Sequence, residues 1–326
     1  MSHDHWEPGE VAVIAAAMSR APSVHNSQPW ALELRERAAE VHERVDLALP
    51  RHDPLGRDRL ISCGAALTNV RLAVRRLGYR AEVTEFPDPG RPGEVGRVVA
   101  GARAEPTGRE LALYRAIRAR HSHRARFGPE RVAPAVLGEV VDTVDVPGVG
   151  VRAVRPEDVP ALAHVLVYSA SVVQHDRAYQ RELAAWTAKG HQTDDGLVPA
   201  AAGTLPWAGL VDERTALPDE DVLGRRLSAE TEVLITTVDD GPVDHLRAGI
   251  ALEELWLAAT AAGLAASVIT QPLHLPEARA GLIERLDLAG YPQALLRVGQ
   301  RTEIAAPSAR RPFTALISGR TTAGAR

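Results

Sequence analysis

The pattern of hydrophobic and polar positions predicts a mixture of helices and strands in the first hundred residues. Residues 9–19 are rich in alanine and predict a short helix that breaks before Pro22. Residues 60–78 carry apolar side chains at helical spacing and end at a glycine, which is a typical helix stop. Apolar segments also predict strands at 45–49, 81–86 and 97–102.

The remaining sequence continues this mixture, so the fold class is α/β or α+β. The predicted helices are 108–119, 133–142, 156–174, 243–262 and 276–287, and the predicted strands are 150–154, 231–238, 265–269 and 293–299. Residues 190–223 differ, because they are rich in Gly, Pro and Asp and have no sustained hydrophobic period. A loop of this length in a compact enzyme is often a lid or a binding segment, and a flexible surface insertion is the alternative.

An internal repeat relates the two halves of the chain. Residues 63–83 align without a gap to 248–268 at an offset of 185, and each segment reads as a long helix, a glycine and a strand. Chance similarity between alanine-rich segments is the alternative. Gly64 and Gly249 match inside the two helices, where glycine costs about 1 kcal/mol relative to alanine. We therefore predict that the helices cross closely on a pseudo-twofold axis, as in a dimer fused into one chain.

Composition and charge narrow the function. The 326 residues are 45% hydrophobic and 25% charged, with 38 basic and 42 acidic side chains, which gives no reason to expect nucleic acid. Lys189 is the only lysine, so an anion site must be built from arginine. Cys63 is the only cysteine, which excludes an internal disulfide and a cysteine-based metal centre, and we predict no metal ligands. Without a signal peptide or a long apolar stretch, we expect a cytoplasmic protein with no membrane contact.

Two segments have side chains suited to an anion. Arg120, His121, Ser122, His123 and Arg124 place two guanidinium groups and a hydroxyl within five residues, enough to hold a phosphate through charge-assisted hydrogen bonds. A solvated helix face is the alternative. Near the C-terminus, the pair 310–311 precedes a proline and is a weaker candidate.

The loop at 23–30, Ser-Val-His-Asn-Ser-Gln-Pro-Trp, concentrates amides and hydroxyls. The carboxamides of Asn26 and Gln28 could bind a ring edge that carries carbonyl and N–H groups. Ordinary turn capping is the alternative.

Taken together, these segments resemble the nitroreductase-like FMN flavoprotein superfamily. In that superfamily an Arg-x-Ser-x-Arg/Lys segment holds the FMN phosphate, and here 120–124 is similar to it. The loop 23–30 is similar to the superfamily's Gln-Pro-Trp loop, with one extra residue before Asn26. Over nearly its whole length the chain resembles the fused, double-domain subgroup typified by the mycobacterial Acg proteins, which share the 52–67 block and the terminal Arg-Arg-Pro-Phe.

The resemblance implies an α+β, nitroreductase-like fold, an internally duplicated pseudo-dimer whose central sheets are packed by helices. We predict an N-terminal half at 1–107 and a C-terminal half at 108–326 that carries the lid-like insertion 190–223. The first half lacks its own Arg-x-Ser-x-Arg segment, so we expect one FMN per chain. The duplication also favours a monomer, with the usual dimer interface inside it.

The resemblance assigns FMN contacts but no catalytic side chain. The implied cofactor-binding residues are Asn26, Gln28, Arg120, His121, Ser122, Arg124, Thr270, Gln271, Pro272, Arg310 and Arg311. The implied activity is FMN-dependent reduction of an electron-poor small molecule with NAD(P)H. The alternative is a non-enzymatic protein that binds or sequesters FMN under a lid.

Overall fold

The computed structural model describes residues 5–189, 211–302 and 308–317, and they form an α+β fold built on two four-stranded antiparallel sheets. The first sheet consists of β1 (Trp30–Arg35), β2 (Ala38–Glu43), β3 (Tyr79–Glu85) and β4 (Glu94–Arg103), in the order β1-β2-β4-β3. The second consists of β5 (Val149–Ala153), β6 (Thr231–Thr237), β7 (Ala265–Ile269) and β8 (Tyr291–Gly299), in the order β5-β6-β8-β7.

Nine helices pack on these sheets within the described residues. They are α1 (Pro8–Met18), α2 (Arg57–Arg76), α3 (Gly108–Ala119), α4 (Pro134–Val141), α5 (Val159–His175), α6 (Arg177–Lys189), α7 (Glu220–Ser228), α8 (Pro242–Ala261) and α9 (Pro276–Arg285). In this part of the chain, no helix is both long enough and apolar enough to cross a bilayer.

The two sheets confirm the duplication predicted from the sequence, because they share one strand order. In each half, a 20-residue helix joins the second strand to the third, α2 in the first and α8 in the second. Both helices are followed by a glycine with positive φ, Gly78 at 83° and Gly263 at 80°. L-amino acids other than glycine rarely adopt this conformation, so each glycine ends its helix and turns the chain into the next strand.

The predicted close crossing of the two long helices is also confirmed. A Cβ added at Gly64 of α2 would lie 2.0 Å from the backbone oxygen of Leu246 in α8. Reciprocally, a Cβ at Gly249 would lie 2.0 Å from the backbone oxygen of Ile61. These contacts are too short for any side chain, so the backbones touch where each helix contributes a glycine.

One apolar core joins the two halves around this crossing. Trp30 from β1 and Trp256 from α8 are both fully buried in it. Strand β6 faces two cores, since Val233 and Ile235 point into the shared core, whereas Leu234 packs with α5, α7 and α9. This alternation is what a strand covered on both faces requires.

The structure corrects part of the sequence-based prediction at 45–49. These residues do not form a strand: Val45–Leu47 is a single 3-10 turn, and the Val45 side chain is 60% exposed. The real strands are β1 and β2, whose register places Trp30 opposite Glu43. An apolar pattern alone does not make a strand, because the backbone N–H and C=O groups of a strand also need hydrogen bonds to a neighbouring strand.

The predicted insertion 190–223 falls partly outside the described residues. Residues 190–210 are not among them, residues 211–219 are irregular, and 220–223 already belong to α7. The Asp219 side chain caps this helix by accepting a hydrogen bond from the Val222 backbone N–H. The proposed halves at 1–107 and 108–326 remain a prediction.

We expect the substitution Gly64→Ala to destabilise the protein by about 1–3 kcal/mol or more, because the added methyl group meets backbone on the facing helix. Gly138→Ala in α4 is the matched control, since a Cβ there meets nothing within 4 Å. This control should gain up to about 1 kcal/mol from helix propensity. Urea unfolding followed by circular dichroism measures both. Equal stability of Gly64→Ala and the parent chain would contradict the close crossing.

Candidate functional site

The loop between α1 and β1 has an unusual backbone. His25, Asn26 and Gln28 have φ values of 51°, 53° and 49°, which lie in the left-handed region although none is a glycine. The Ser23 hydroxyl closes the loop by accepting a hydrogen bond from the Gln28 N–H at 3.0 Å. Residues held in this region cost of order 1 kcal/mol or more each and cluster at functional sites.

The C-terminal segment docks onto this loop through two carboxamides. The Asn26 Nδ2 donates to the Ala309 carbonyl at 3.0 Å, and Arg310 donates to the Asn26 Oδ1 at 2.8 Å. The Arg311 N–H donates to the Gln28 Oε1 at 3.0 Å. Four residues predicted for the site from opposite ends of the chain are therefore brought together.

Arg120 lies at the C-terminal end of α3 and is buried. Its NH2 donates to the Arg20 carbonyl at 3.0 Å, and its guanidinium carbon lies 4.5 Å from the centroid of the Trp256 ring. Its Nε is 3.8 Å from a carboxylate oxygen of Glu253, which is too far for a hydrogen bond. Among the described residues, neither this Nε nor the buried Nε of Arg310 has a hydrogen-bond partner.

The charges of this group are unbalanced. Burial, reinforced by the positive charges of Arg120 and Arg20, lowers the pKa of Arg310 to about 9. Burial likewise raises the pKa of Glu253 to about 7, against the opposing charge of Arg120. We call Arg20, Arg120 and Arg310 the arginine cluster. It holds three guanidinium groups close to one carboxyl group whose pKa is raised, so it favours a bound anion.

The residues after Arg120 run beside β7. The Ser122 backbone forms a bridge to Ala266, and the His123 N–H donates to the Ala266 carbonyl at 2.9 Å. The His121 Nδ1 hydrogen-bonds to the Ala119 carbonyl at 2.8 Å, so this ring caps the end of α3. The predicted segment is therefore fixed by backbone pairing to the second sheet.

Arg124 leaves this segment towards the loop at 23–30. Burial lowers its pKa, and its charge contributes to lowering the pKa of His25, after the larger effects of burial and of His52. No hydrogen bond or ion pair joins Arg124 to another described residue.

The predicted residues Thr270, Gln271 and Pro272 follow β7 and begin a buried polar cluster. The Thr270 hydroxyl donates to the Asp58 Oδ2 at 2.6 Å, and the Gln271 side chain donates to the hydroxyl of Tyr179. Pro272 is buried. Their side chains thus point into the protein, while the Gln271 N–H opens a 3-10 turn, where a helix offers no internal acceptor.

Asp58 is the centre of that cluster. Burial would raise its pKa, but the charges of His274 and Arg57 and hydrogen bonds lower it well below its usual range. The His274 Nε2 lies 2.9 Å from the Asp58 Oδ2, and the Arg57 NH2 lies 3.1 Å from the Oδ1. The His52 Nδ1 is 3.1 Å from the Tyr179 hydroxyl.

Sequence reasoning missed several residues in both groups. Glu253 had a local signal, because it is a charged residue inside an apolar helix and aligns in the repeat with Thr68. Arg20 had a weaker one, since it precedes the 23–30 loop. His52 and Asp58 lie in the 52–67 block that carries the resemblance, but nothing in the sequence connected them to His274, which is more than 200 positions away.

Comparisons with known proteins relate this chain to a family. The model of the family described as "Nitroreductase family" matches residues 117–300. "Putative NAD(P)H nitroreductase Rv3131" of Mycobacterium tuberculosis strain H37Rv is 31% identical over 309 residues, covering 90% of this chain and 86% of the relative. "Putative NAD(P)H nitroreductase acg" of the same strain is 28% identical over 311 residues, covering 90% and 91%.

Among solved structures, the FMN and NADPH-dependent nitroreductase NfnB from Sphigopyxis sp. strain HMH superposes with a TM-score of 0.44 at 16% identity. The match covers 64% of this chain and 98% of that one. The family model spans more than half of the chain, and a relative above 30% identity spans most of it. This chain therefore belongs to the nitroreductase family.

Proposed function

We propose that this chain is an FMN-dependent oxidoreductase that reduces a small, electron-poor molecule with electrons from NAD(P)H. The observation that carries the proposal is the arginine cluster, which is cationic, largely buried and adjacent to the Asn26 loop. The family membership and the relatives' names as NAD(P)H nitroreductases support the reaction class.

The residues present fit a phosphate-bearing cofactor. The buried Nε atoms of Arg120 and Arg310 lack hydrogen-bond partners in the described structure, and a phosphate oxygen would supply them. A dianion would also offset the mutual repulsion of Arg20, Arg120 and Arg310. Arg124, which has no hydrogen-bond partner in the described residues, is proposed to add a further guanidinium to the phosphate site.

Asn26 and Gln28 have a positioning role in this proposal. Each carboxamide uses part of its capacity to hold the 309–311 segment, which fixes Arg310 in the arginine cluster. A carboxamide has two N–H groups and two oxygen lone pairs, so these bonds leave Asn26 with one N–H and one lone pair for a ligand. We propose that this remaining capacity binds the pyrimidine edge of the flavin, and that Thr270 and Gln271 line its central ring.

When bound, FMN supplies hydride and single-electron transfer between a nicotinamide donor and an acceptor. The chain's own residues would bind and orient it: the arginines would hold the phosphate, the Asn26 loop beside Arg310 would contact the pyrimidine edge, and the backbone at Gln271 would offer an N–H to the ring. No side chain is assigned a proton-transfer role.

The function is tested by anaerobic stopped-flow measurement on FMN-loaded protein mixed with NADPH or NADH. We expect the flavin absorption to bleach while one equivalent of the donor is oxidised, and a quinone or nitroaromatic to restore it. A flavin absorption that stays constant with both donors would reject the oxidoreductase and support the alternative, an FMN-sequestering protein.

Replacing Arg120 and Arg124 together by alanine should yield a folded, colourless protein. Loss of two charge-assisted contacts of about 1.5–3 kcal/mol each predicts FMN affinity at least about 100-fold weaker. The control is the double substitution Arg115→Ala and Arg118→Ala, which removes two exposed arginines from α3, the helix that ends just before Arg120. Circular dichroism checks folding, and fluorescence titration measures affinity. Unchanged FMN affinity in the first variant would reject the phosphate assignment.

Glu253 should make FMN affinity depend on pH. Because burial raises its pKa to about 7, the carboxyl is neutral at pH 6 and ionised at pH 8, where it repels the phosphate. The substitution Glu253→Gln removes that repulsion, so we expect it to bind FMN about as tightly as the parent chain at pH 6 and about tenfold more tightly at pH 8.

The control for this prediction is Glu254→Gln, since Glu254 is ion-paired with Arg71 at 2.7 Å rather than facing the arginine cluster. Comparing each variant with the parent chain at the same pH cancels the titration of the phosphate itself. A ratio that does not change between pH 6 and pH 8 would contradict the placement of Glu253 beside the bound anion.

A further inference from the structure

A second buried group of ligating side chains lies outside the arginine cluster. His52, Asp58 and His274 place one ligand atom each within 4.8 Å of one another. The Asp58 Oδ2 is 2.9 Å from the His274 Nε2 and 3.5 Å from the His52 Nε2. A tetrahedral zinc ion with bonds of about 2.0–2.1 Å places its ligand atoms about 3.3 Å apart, which matches this spacing.

We propose that His52, Asp58 and His274 bind one divalent transition-metal ion of the zinc type. Two imidazole nitrogens and one carboxylate oxygen are the donor set that zinc accepts in three-ligand sites, whereas calcium and magnesium require oxygen donors. The sequence analysis predicted no metal ligands, because the fold alone brings these three residues together.

An unpartnered nitrogen supports the site independently of the spacing. The His52 side chain is 3% exposed, and its buried Nε2 makes no standard hydrogen bond with the described residues; it lies 3.5 Å from the Asp58 Oδ2. Leaving a polar atom in this state costs about 1–3 kcal/mol. Coordination of a metal through that lone pair removes the penalty.

The surrounding residues orient the three ligands. Coordination through Nε2 leaves the proton of His52 on Nδ1, which then donates to the Tyr179 hydroxyl oxygen 3.1 Å away. The Glu182 carboxylate accepts hydrogen bonds from the backbone N–H groups of Arg51 and His52 at 3.1 and 2.8 Å. Arg57 engages the Oδ1 of Asp58, so the Oδ2 is the oxygen directed at the histidines. Such outer contacts fix the rotamers of metal ligands.

A second group of possible ligands shows why the first is distinctive. Glu33, Glu40 and His42 also converge within 4.8 Å, but arginines contact both oxygens of each carboxylate, whereas Arg57 contacts only the Oδ1 of Asp58. Arg91 pairs with Glu33 at 2.9 Å and with Glu40 at 2.8 Å. We therefore propose no metal there, and this group provides a matched control.

The position of the proposed metal relates it to the rest of the molecule. The Thr270 hydroxyl donates to the Asp58 Oδ2, so the ligands adjoin the segment proposed to line the flavin ring. Three protein ligands leave a fourth coordination position for water or for an oxygen atom of a small carbonyl or anionic ligand. The proposal does not depend on FMN binding, because no metal ligand belongs to the arginine cluster.

The test is equilibrium dialysis of the full chain against Zn²⁺ at micromolar concentration, with bound zinc measured by mass spectrometry. We expect one zinc per chain, and affinity at least about 100-fold weaker in His52→Gln and in His274→Gln. His42→Gln should bind as the parent chain does. Tyr179→Phe removes an outer contact and should weaken binding by about tenfold. Circular dichroism and FMN titration of each variant separate a failure here from a failure of the flavin proposal.

X-ray absorption at the zinc edge on the unmodified chain gives a readout that does not depend on variant folding. Two imidazole nitrogens and at least one light oxygen ligand are expected. The proposal is overturned if the parent chain binds no zinc, if folded His52→Gln and His274→Gln retain full binding, or if the spectrum lacks imidazole scattering.

Discussion

The contact between Gly64 and Gly249 is the constraint on which the rest of the structure depends. Two 20-residue helices meet backbone to backbone, with no room for a side chain at the crossing. Because both helices are rigid and buried in the core, this contact fixes the positions of the other residues on them. The start of α2 is thereby held against the loop after β7, and the middle of α8 against the end of α3.

Both polar groups lie where one half of the chain meets the other. Arg120 and Glu253 follow the first sheet in the chain, whereas Arg20 and Asn26 precede it. Likewise, Asp58 meets His274 only across this boundary. Buried charges are tolerated at such a boundary because each half supplies partners that the other lacks. A ligand that pairs with the remaining charged groups would stabilise the folded chain.

Much of the fold was predictable because its signals are local. The helix at 108–119 was predicted at the bounds observed, and the repeat identified the two long helices from matched glycines. Strands β1 and β2 were missed, and 45–49 was assigned wrongly. A strand is decided by its partners, and an apolar stretch can end as an exposed turn when no neighbour is in register.

The residues of the candidate site also divide into those that the sequence could identify and those that it could not. The amide loop, the segment at 120–124 and the terminal arginines could be selected from the sequence through a family resemblance, although their roles remain proposals. Glu253 and His274 could not be connected to their neighbours, because the contacts that give them a role join residues 100 or more positions apart.

Fusion of the halves has a lasting consequence here. The repeat pairs Glu253 with Thr68 and Asp58 with Val243. In an assembly of two identical subunits such pairs would have to be the same residue, whereas one chain that carries both copies can place different residues at the two equivalent positions.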